Sequence, residues 1–155
     1  MHIAALHVYP LKSARGIDIM SAQVNPRGLV GDRRYMLMDN NQQFLSQRNI
    51  PKLAQVSTNF IQGGISISWP DQDWIDIYPP AEPDRTSVTI WRDTVDATTV
   101  NASVDAALSA WLERDVSLVF MDNKTTRTTN KDWGLPAPVS FADGYPNYIL
   151  CNSRS

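Results

Sequence analysis

The stretch Ile65-Ser66-Ile67-Ser68-Trp69, followed by Pro70-Asp71-Gln72-Asp73 and then Trp74-Ile75-Asp76-Ile77-Tyr78, decides the fold class. Isoleucines recur at every second position on both sides of a turn signal, and a period of two puts them on one face of an extended chain. Two half-buried strands joined by a hairpin follow. The pattern continues outward. Val88 and Ile90 alternate with Ser87, Thr89 and Trp91, and Gln62-Gly63-Gly64, Asp39-Asn40-Asn41 and Arg92-Asp93 separate apolar runs with short turn-forming segments. Leu53 to Ile61 and Tyr35 to Asp39 read as further strands, and the β-branched Ile3 and Val8 open the chain in another. Successive hairpins predict an antiparallel meander.

One segment has the helical period. Val104, Ala107, Leu108, Trp111 and Leu112 fall on one face of a helix that Asn101 or Ser103 caps, ending near Arg114-Asp115. Val116, Leu118 and Phe120 then alternate as a strand. The fold class is therefore mainly β with one amphipathic helix lying on the sheet. From Asp122 to Lys131 the chain is polar and Thr-rich without an apolar period, which reads as a linker or mobile loop and a domain boundary. Tyr148-Ile149-Leu150-Cys151 is a buried-strand pattern, and Asn152-Ser153 after it is a helix-cap signal with two residues left. These features predict a second domain begun at about Asp132 and cut off.

The chain has 155 residues, 14 Lys plus Arg against 16 Asp plus Glu, and a net charge of -2. One domain of this size buries a sizeable core, and no global positive field draws it to nucleic acid or anionic membrane. A single Cys excludes an internal disulfide, and with two His it leaves too few ligands for structural zinc. The opening residues carry no basic n-region or cleavage pattern, so no signal peptide is expected; no apolar run reaches membrane-spanning length, and a reducing, cytoplasmic setting is expected.

Four segments combine charge, hydroxyl and glycine. Tyr9-Pro10-Leu11-Lys12-Ser13-Ala14-Arg15-Gly16 presents two cations and a hydroxyl at a turn, the donor set a phosphate takes. Gly28-Leu29-Val30-Gly31-Asp32-Arg33-Arg34-Tyr35 feeds a glycine-rich turn into a strand, with Asp32 placed to orient one Arg while the other faces a ligand. Ser46-Gln47-Arg48-Asn49 and Ser140-Phe141-Ala142-Asp143-Gly144-Tyr145-Pro146 are the third and fourth. Taken singly, each is more often a solvated turn or a surface ion pair. Trp69, Trp74, Trp91, Trp111 and Trp133 allow a stacking platform for single-stranded nucleic acid on an OB-like sheet, but their places on strands and helix favour core packing. His2 and His7 lack partners at ligand spacing, and Cys151 has no adjacent base.

In this order and spacing the four segments resemble the amino-terminal half of the MOSC-domain proteins, including bacterial members that detoxify N-hydroxylated bases and the mitochondrial amidoxime reducing component. The resemblance implies a MOSC N-terminal β-barrel over residues 1–122, the meander closing into the barrel, and over 123–155 a linker and the truncated start of a second, β-rich MOSC domain. It implies a molybdenum cofactor, molybdopterin, held in part by Lys12, Ser13, Arg33, Gly144 and Tyr145, with Arg48 a recurrent barrel residue suited to a supporting ion pair. It also implies an oxidoreductase reducing N-hydroxylated small molecules, with electrons from a partner or a fused iron–sulfur ferredoxin domain and no nucleic-acid or membrane partner. The family's molybdenum-ligating Cys lies downstream of these residues and Cys151 does not match it, so the 155 residues are not expected to be competent alone. Pyridoxal phosphate enters only as an association of the wider family. The competing reading is a substrate- or partner-recognition barrel of a sulfur-carrier or molybdenum cofactor sulfurase-like protein.

Overall fold

The computed structural model describes residues 3–82, 84–130, 132 and 136–143. Eleven strands and one α-helix lie among them: β1 His7–Val8, β2 Ile17–Asp18, β3 Val24–Asn25, β4 Gly28–Leu29, β5 Tyr35–Met38, β6 Ser57–Ile61, β7 Gly64–Trp69, β8 Gln72–Ile77, β9 Arg85–Ile90, β10 Asp93–Thr99, α1 Ala102–Leu112 and β11 Ser117–Phe120. The isoleucine alternation is β7 and β8, paired antiparallel with Ile65 opposite Ile77 and Ile67 opposite Ile75. Their turn is Pro70-Asp71, in which Asp71 takes φ 64°. Asn101 caps α1, accepting hydrogen bonds from the backbone N–H of Ser103 at 2.8 Å and Val104 at 3.4 Å. Val104, Leu108 and Leu112 are its buried face, and Trp111 stacks on Trp69 with centroids 5.7 Å apart.

The pairing order departs from a simple meander. Strands β6-β7-β8 and β9-β10 are sequential hairpins, but the four-stranded sheet runs β5-β11-β10-β9, so β5 pairs with a strand some eighty residues later. This position buries both faces of β5 and β11. Tyr35, Leu37 and Leu118 point into one core with Leu53, Ile65, Ile67, Ile77 and the apolar face of α1. Met36, Met38 and Val119 point into a second with Val88, Ile90, Val95, Ala97, Met121 and Phe141. The strand read from Val116, Leu118 and Phe120 is thus buried on two sides rather than one.

Other boundaries shift for local reasons. The chain is not extended from Leu53, because Pro51 starts a 3-10 turn over Pro51–Gln55 and β6 begins at Ser57. Ile3 is exposed and the first strand begins at His7. The Thr-rich stretch read as a linker is held against the sheet: Thr125, Arg127 and Thr129 are buried while the residues between them are exposed. Thr125 Oγ1 donates to the Asp96 carbonyl at 2.8 Å, and an isolated bridge joins Thr128 to Pro138.

The ladders form four separate sheets and do not by themselves close a barrel. The two edges of the four-stranded sheet are linked instead by residues 42–45. Leu45 N–H donates to the Leu37 carbonyl at 2.8 Å on the β5 side, and on the β9 side Thr89 N–H donates to Gln42 and Phe44 N–H to Thr89 at 2.7 and 3.0 Å. Among the described residues no helix is long and apolar enough to cross a membrane.

Candidate functional site

Pro10 ends β1, and the chain then runs beside the start of β5. Tyr35 N–H donates to the Pro10 carbonyl at 3.0 Å and Lys12 N–H to the Tyr35 carbonyl at 2.8 Å. The second segment is stitched to the first: Arg33 N–H reaches the Tyr9 carbonyl at 2.6 Å, and Tyr9 N–H donates to Asp32 Oδ1 at 2.8 Å. Gln47 Nε2 donates to the Ser13 carbonyl at 3.0 Å, bringing in the third. The fourth arrives through Phe141 N–H on the Arg33 carbonyl at 3.0 Å. Arg127 fixes it further, its Nη1 donating to the carbonyls of Ser140 and Ala142 at 2.9 and 2.6 Å while its Nε meets Asp93 at 2.8 Å.

The four segments therefore converge on one open pocket of about 270 Å³, lined by Lys12, Ser13, Arg33, Arg48, Trp91 and Asp143 among others. Its described lining carries three cations and one carboxylate. Lys12 is 8 % exposed, with Nζ 3.1 Å from Asp143 Oδ1 and 5.5 and 5.9 Å from the ring centres of Phe44 and Trp91. Burial pushes the Lys12 ammonium below its ordinary range; Asp143 opposes this, and the charges of Arg33 and Arg127 add to it. Burial pushes the Asp143 carboxyl up, but Lys12, the Trp91 N–H and Arg33 outweigh it and hold the group below the ordinary carboxylate range. The contrast has a geometric cause: Asp143 is 55 % exposed and keeps water that Lys12 has lost.

Arg33 lies over the Tyr9 ring at 5.0 Å and is ion-paired with Asp32. The expected division, one Arg held by Asp32 and the other facing a ligand, does not occur: Asp32 pairs with the same arginine that lines the pocket, and Arg34 turns away to donate to the Met121 carbonyl from Nε at 2.7 Å. Three residues here take positive φ without being glycine: Ser13 at 66°, Arg33 at 48° and Trp91 at 57°. They are half of the six such residues among those described. A bulky side chain in that region is strained, and such strain gathers at functional sites.

Lys12, Ser13 and Arg33 line the same pocket. Gly144 and Tyr145 lie outside the described residues, as do Cys151, Trp133 and His2. Arg48 makes no ion pair among the described residues; its guanidinium sits 5.2 Å from the Trp91 ring centre. Trp91 and Trp74 are 44 % and 54 % exposed, so the core assignment holds for Trp69 and not for them. Trp91, Phe44 and Arg127 were not legible as site residues. The one signal in the chain was the Trp91-Arg92 pair at a two-residue hairpin turn, where a glycine-type residue is usual. No group of three or more His, Cys, Asp or Glu able to hold a metal ion occurs among the described residues.

A family profile for the MOSC N-terminal beta barrel domain matches residues 1–115. The chain belongs to this family. Its curated relatives include the molybdenum cofactor sulfurase of Homo sapiens, 23 % identical over 163 aligned positions that take in 99 % of this chain and 18 % of the relative. The molybdenum cofactor sulfurase of Oryza sativa subsp. japonica is 29 % identical over 58 residues, 37 % of this chain and 7 % of the relative. The MOSC N-terminal chain thus spans under a fifth of the length of either relative. Among solved structures, the solution structure of a Bordetella bronchiseptica protein from a structural genomics programme superposes with a TM-score of 0.53 at 17 % identity, covering 68 % of this chain and 92 % of that one, a likeness of fold.

Proposed function

We propose that the pocket holds the phosphate-bearing end of a molybdenum cofactor, and that the whole protein is a cytoplasmic oxidoreductase of N-hydroxylated compounds supplied with electrons by a partner or a fused iron–sulfur domain. The observation that carries the cofactor half is the donor set. A phosphate monoester bears about -1.5 to -2 charge and three acceptor oxygens. Lys12 offers a desolvated point charge, Arg33 an oriented fork and Ser13 a hydroxyl, in a lining with a net excess of two positive charges. When bound, the cofactor supplies the metal at which an oxygen atom is removed. The residues of this chain hold its anionic end and orient it. Gly144 and Tyr145 belong to the same proposal through the family motif. The barrel belongs to it too: the ring β5-β11-β10-β9, completed by residues 42–45 around the Met36–Phe141 core, is the closed unit.

A second reading, a recognition module of a sulfur-carrier or molybdenum cofactor sulfurase-like protein, is favoured by the names of both curated relatives. Pyridoxal phosphate remains an association of that wider family, with no residue of this chain assigned to it. One experiment separates these readings. The full-length protein is purified, its pterin oxidised to the fluorescent form and quantified beside molybdenum, and it is assayed for amidoxime reduction with a chemical reductant and for sulfur release from cysteine. Cofactor content should fall about tenfold or more in Lys12→Ala and Arg33→Ala. Unchanged content in both variants refutes the cofactor site, and sulfur release without amidoxime reduction replaces the first reading by the second.

A further inference from the structure

Asp143 is the one carboxylate among the described lining residues, and its Oδ1 receives two donors, Lys12 Nζ at 3.1 Å and Trp91 Nε1 at 3.2 Å. A carboxylate oxygen held between an ammonium and an N–H, in a pocket whose other charged lining residues are all cations, occupies the kind of position a phosphate oxygen takes. The contact is built to be exchanged. Asp143 is more than half exposed, has no other side-chain partner among the described residues, and hangs from a turn that Arg127 fixes through the Ser140 and Ala142 carbonyls. Displacing its side chain leaves that turn in place.

Trp91 is held with unusual firmness for an exposed residue. It sits at the first position of the β9-β10 turn, between Ile90 and its partner Asp93, at φ 57°. The Phe44 ring packs 4.8 Å away and the Arg48 guanidinium lies 5.2 Å from its centre. A strained turn and two neighbouring groups thus aim the indole N–H into the pocket.

We propose that Trp91 is an anion-binding residue, its indole N–H and the Lys12 ammonium forming a two-donor seat for one phosphate oxygen, and that Asp143 is the internal carboxylate which the ligand displaces from that seat. This rests on the phosphate-binding reading above and adds to it a residue and an exchange.

The test is a titration of the 155-residue chain with inorganic phosphate, followed through tryptophan indole N–H resonances, the Trp91 signal being identified by its loss in Trp91→Phe. That signal should move with saturation while those of the packed Trp69 and Trp111 stay. Asp143→Asn should tighten phosphate about tenfold by removing the competing charge, and Asp143→Ser should do the same without an amide to occupy Lys12. Trp91→Phe keeps an aromatic ring but removes the N–H donor, and should weaken phosphate about three- to tenfold. A Trp91 signal that stays still while phosphate saturates, or weaker binding in both Asp143 variants, overturns the proposal. A pterin phosphate monoester serves as second probe. If it binds tighter than inorganic phosphate with the Trp91 signal moving, the cofactor is the source of the anion. Equal binding with that signal moving keeps the seat and overturns the cofactor reading, and no binding of either probe overturns both.

Discussion

Replacing Lys12 by Met should stabilise the fold while weakening anion binding about tenfold or more. The ammonium is 8 % exposed, and in exchange for its lost water it has one carboxylate that is itself 55 % exposed and two ring faces more than 5 Å away. Substituting apolar groups for a buried ion pair is neutral or stabilising by about 1 to 4 kcal/mol. Lys12→Met removes only the buried half of the pair and leaves Asp143 with water and the Trp91 N–H, so the gain is at most the lower end, about 1 kcal/mol. For a chain of this length that is a rise in Tm of about 2 to 4 °C. The pH dependence has a definite sign. In the unfolded chain the ammonium titrates near 10.5, and burial lowers that value in the folded state. Below the folded value the native state bears the full cost of the charge, and between the two values the unfolded chain binds more protons, so wild-type stability gains as pH rises through that window. Lys12→Met removes this gain, and its advantage over wild type should shrink toward pH 10.5. Urea unfolding at several pH values reads both effects. Phosphate at about a hundred times the wild-type Kd should stabilise wild type by about 2.7 kcal/mol and, at about tenfold weaker binding, the variant by no more than about 1.4 kcal/mol. A variant that melts lower than wild type at neutral pH and responds to phosphate as fully as wild type would refute the account of a desolvated, ligand-facing cation.

Arg127→Ala should cost about 3 kcal/mol, because it strands two carbonyls and Asp93; limited proteolysis should then cut within residues 136–143 while β6-β7-β8 stay intact, and phosphate binding should fall with it. Gly64→Ala should destabilise by more than about 2 kcal/mol, since the added Cβ would lie 2.1 Å from the Ile77 carbonyl oxygen. Gly63→Ala meets no atom within 4 Å and suffers only from its φ of 80°, about 1 to 2 kcal/mol, so chemical denaturation should separate clash from strain. Asp122→Asn should cost about 1 to 2 kcal/mol at neutral pH. Desolvation favours protonation of Asp122, but hydrogen bonds from Arg85 and Thr125 prevail and hold its carboxyl well below the ordinary 3.8. Its contribution is whole above that value and lost as pH falls through the folded one, so variant and wild type should converge in acid.

The local elements were legible because their causes are local. Period-two isoleucines and the Pro70-Asp71 turn specify β7 and β8, and Asn101 with Val104, Leu108 and Leu112 specifies the helix. The pocket was legible in half. Lys12, Ser13 and Arg33 carry charge and hydroxyl at turns, which a reader of the chain can see. Trp91 adjoins an alternating strand, and a tryptophan there looks like core until the turn geometry places it outside. Arg127 looked like one more polar residue in a Thr-rich stretch, because its partners Asp93, Ser140 and Ala142 are distant in the chain. The alternation of Thr125, Arg127 and Thr129 did carry a period, but with a polar buried face that a hydrophobicity pattern does not register.

By itself the sequence determined the strand-and-helix inventory, the family motifs and the supply of cations, all set by neighbours a few residues apart. Only the tertiary structure decided that β5 pairs with β11, that residues 42–45 bridge the sheet edges, and that four turns meet at Lys12. Those outcomes depend on which apolar faces find each other across tens of residues, and on the desolvation that follows. The same burial makes Lys12 a desolvated charge rather than a solvated one, which no pattern of residue types along the chain expresses.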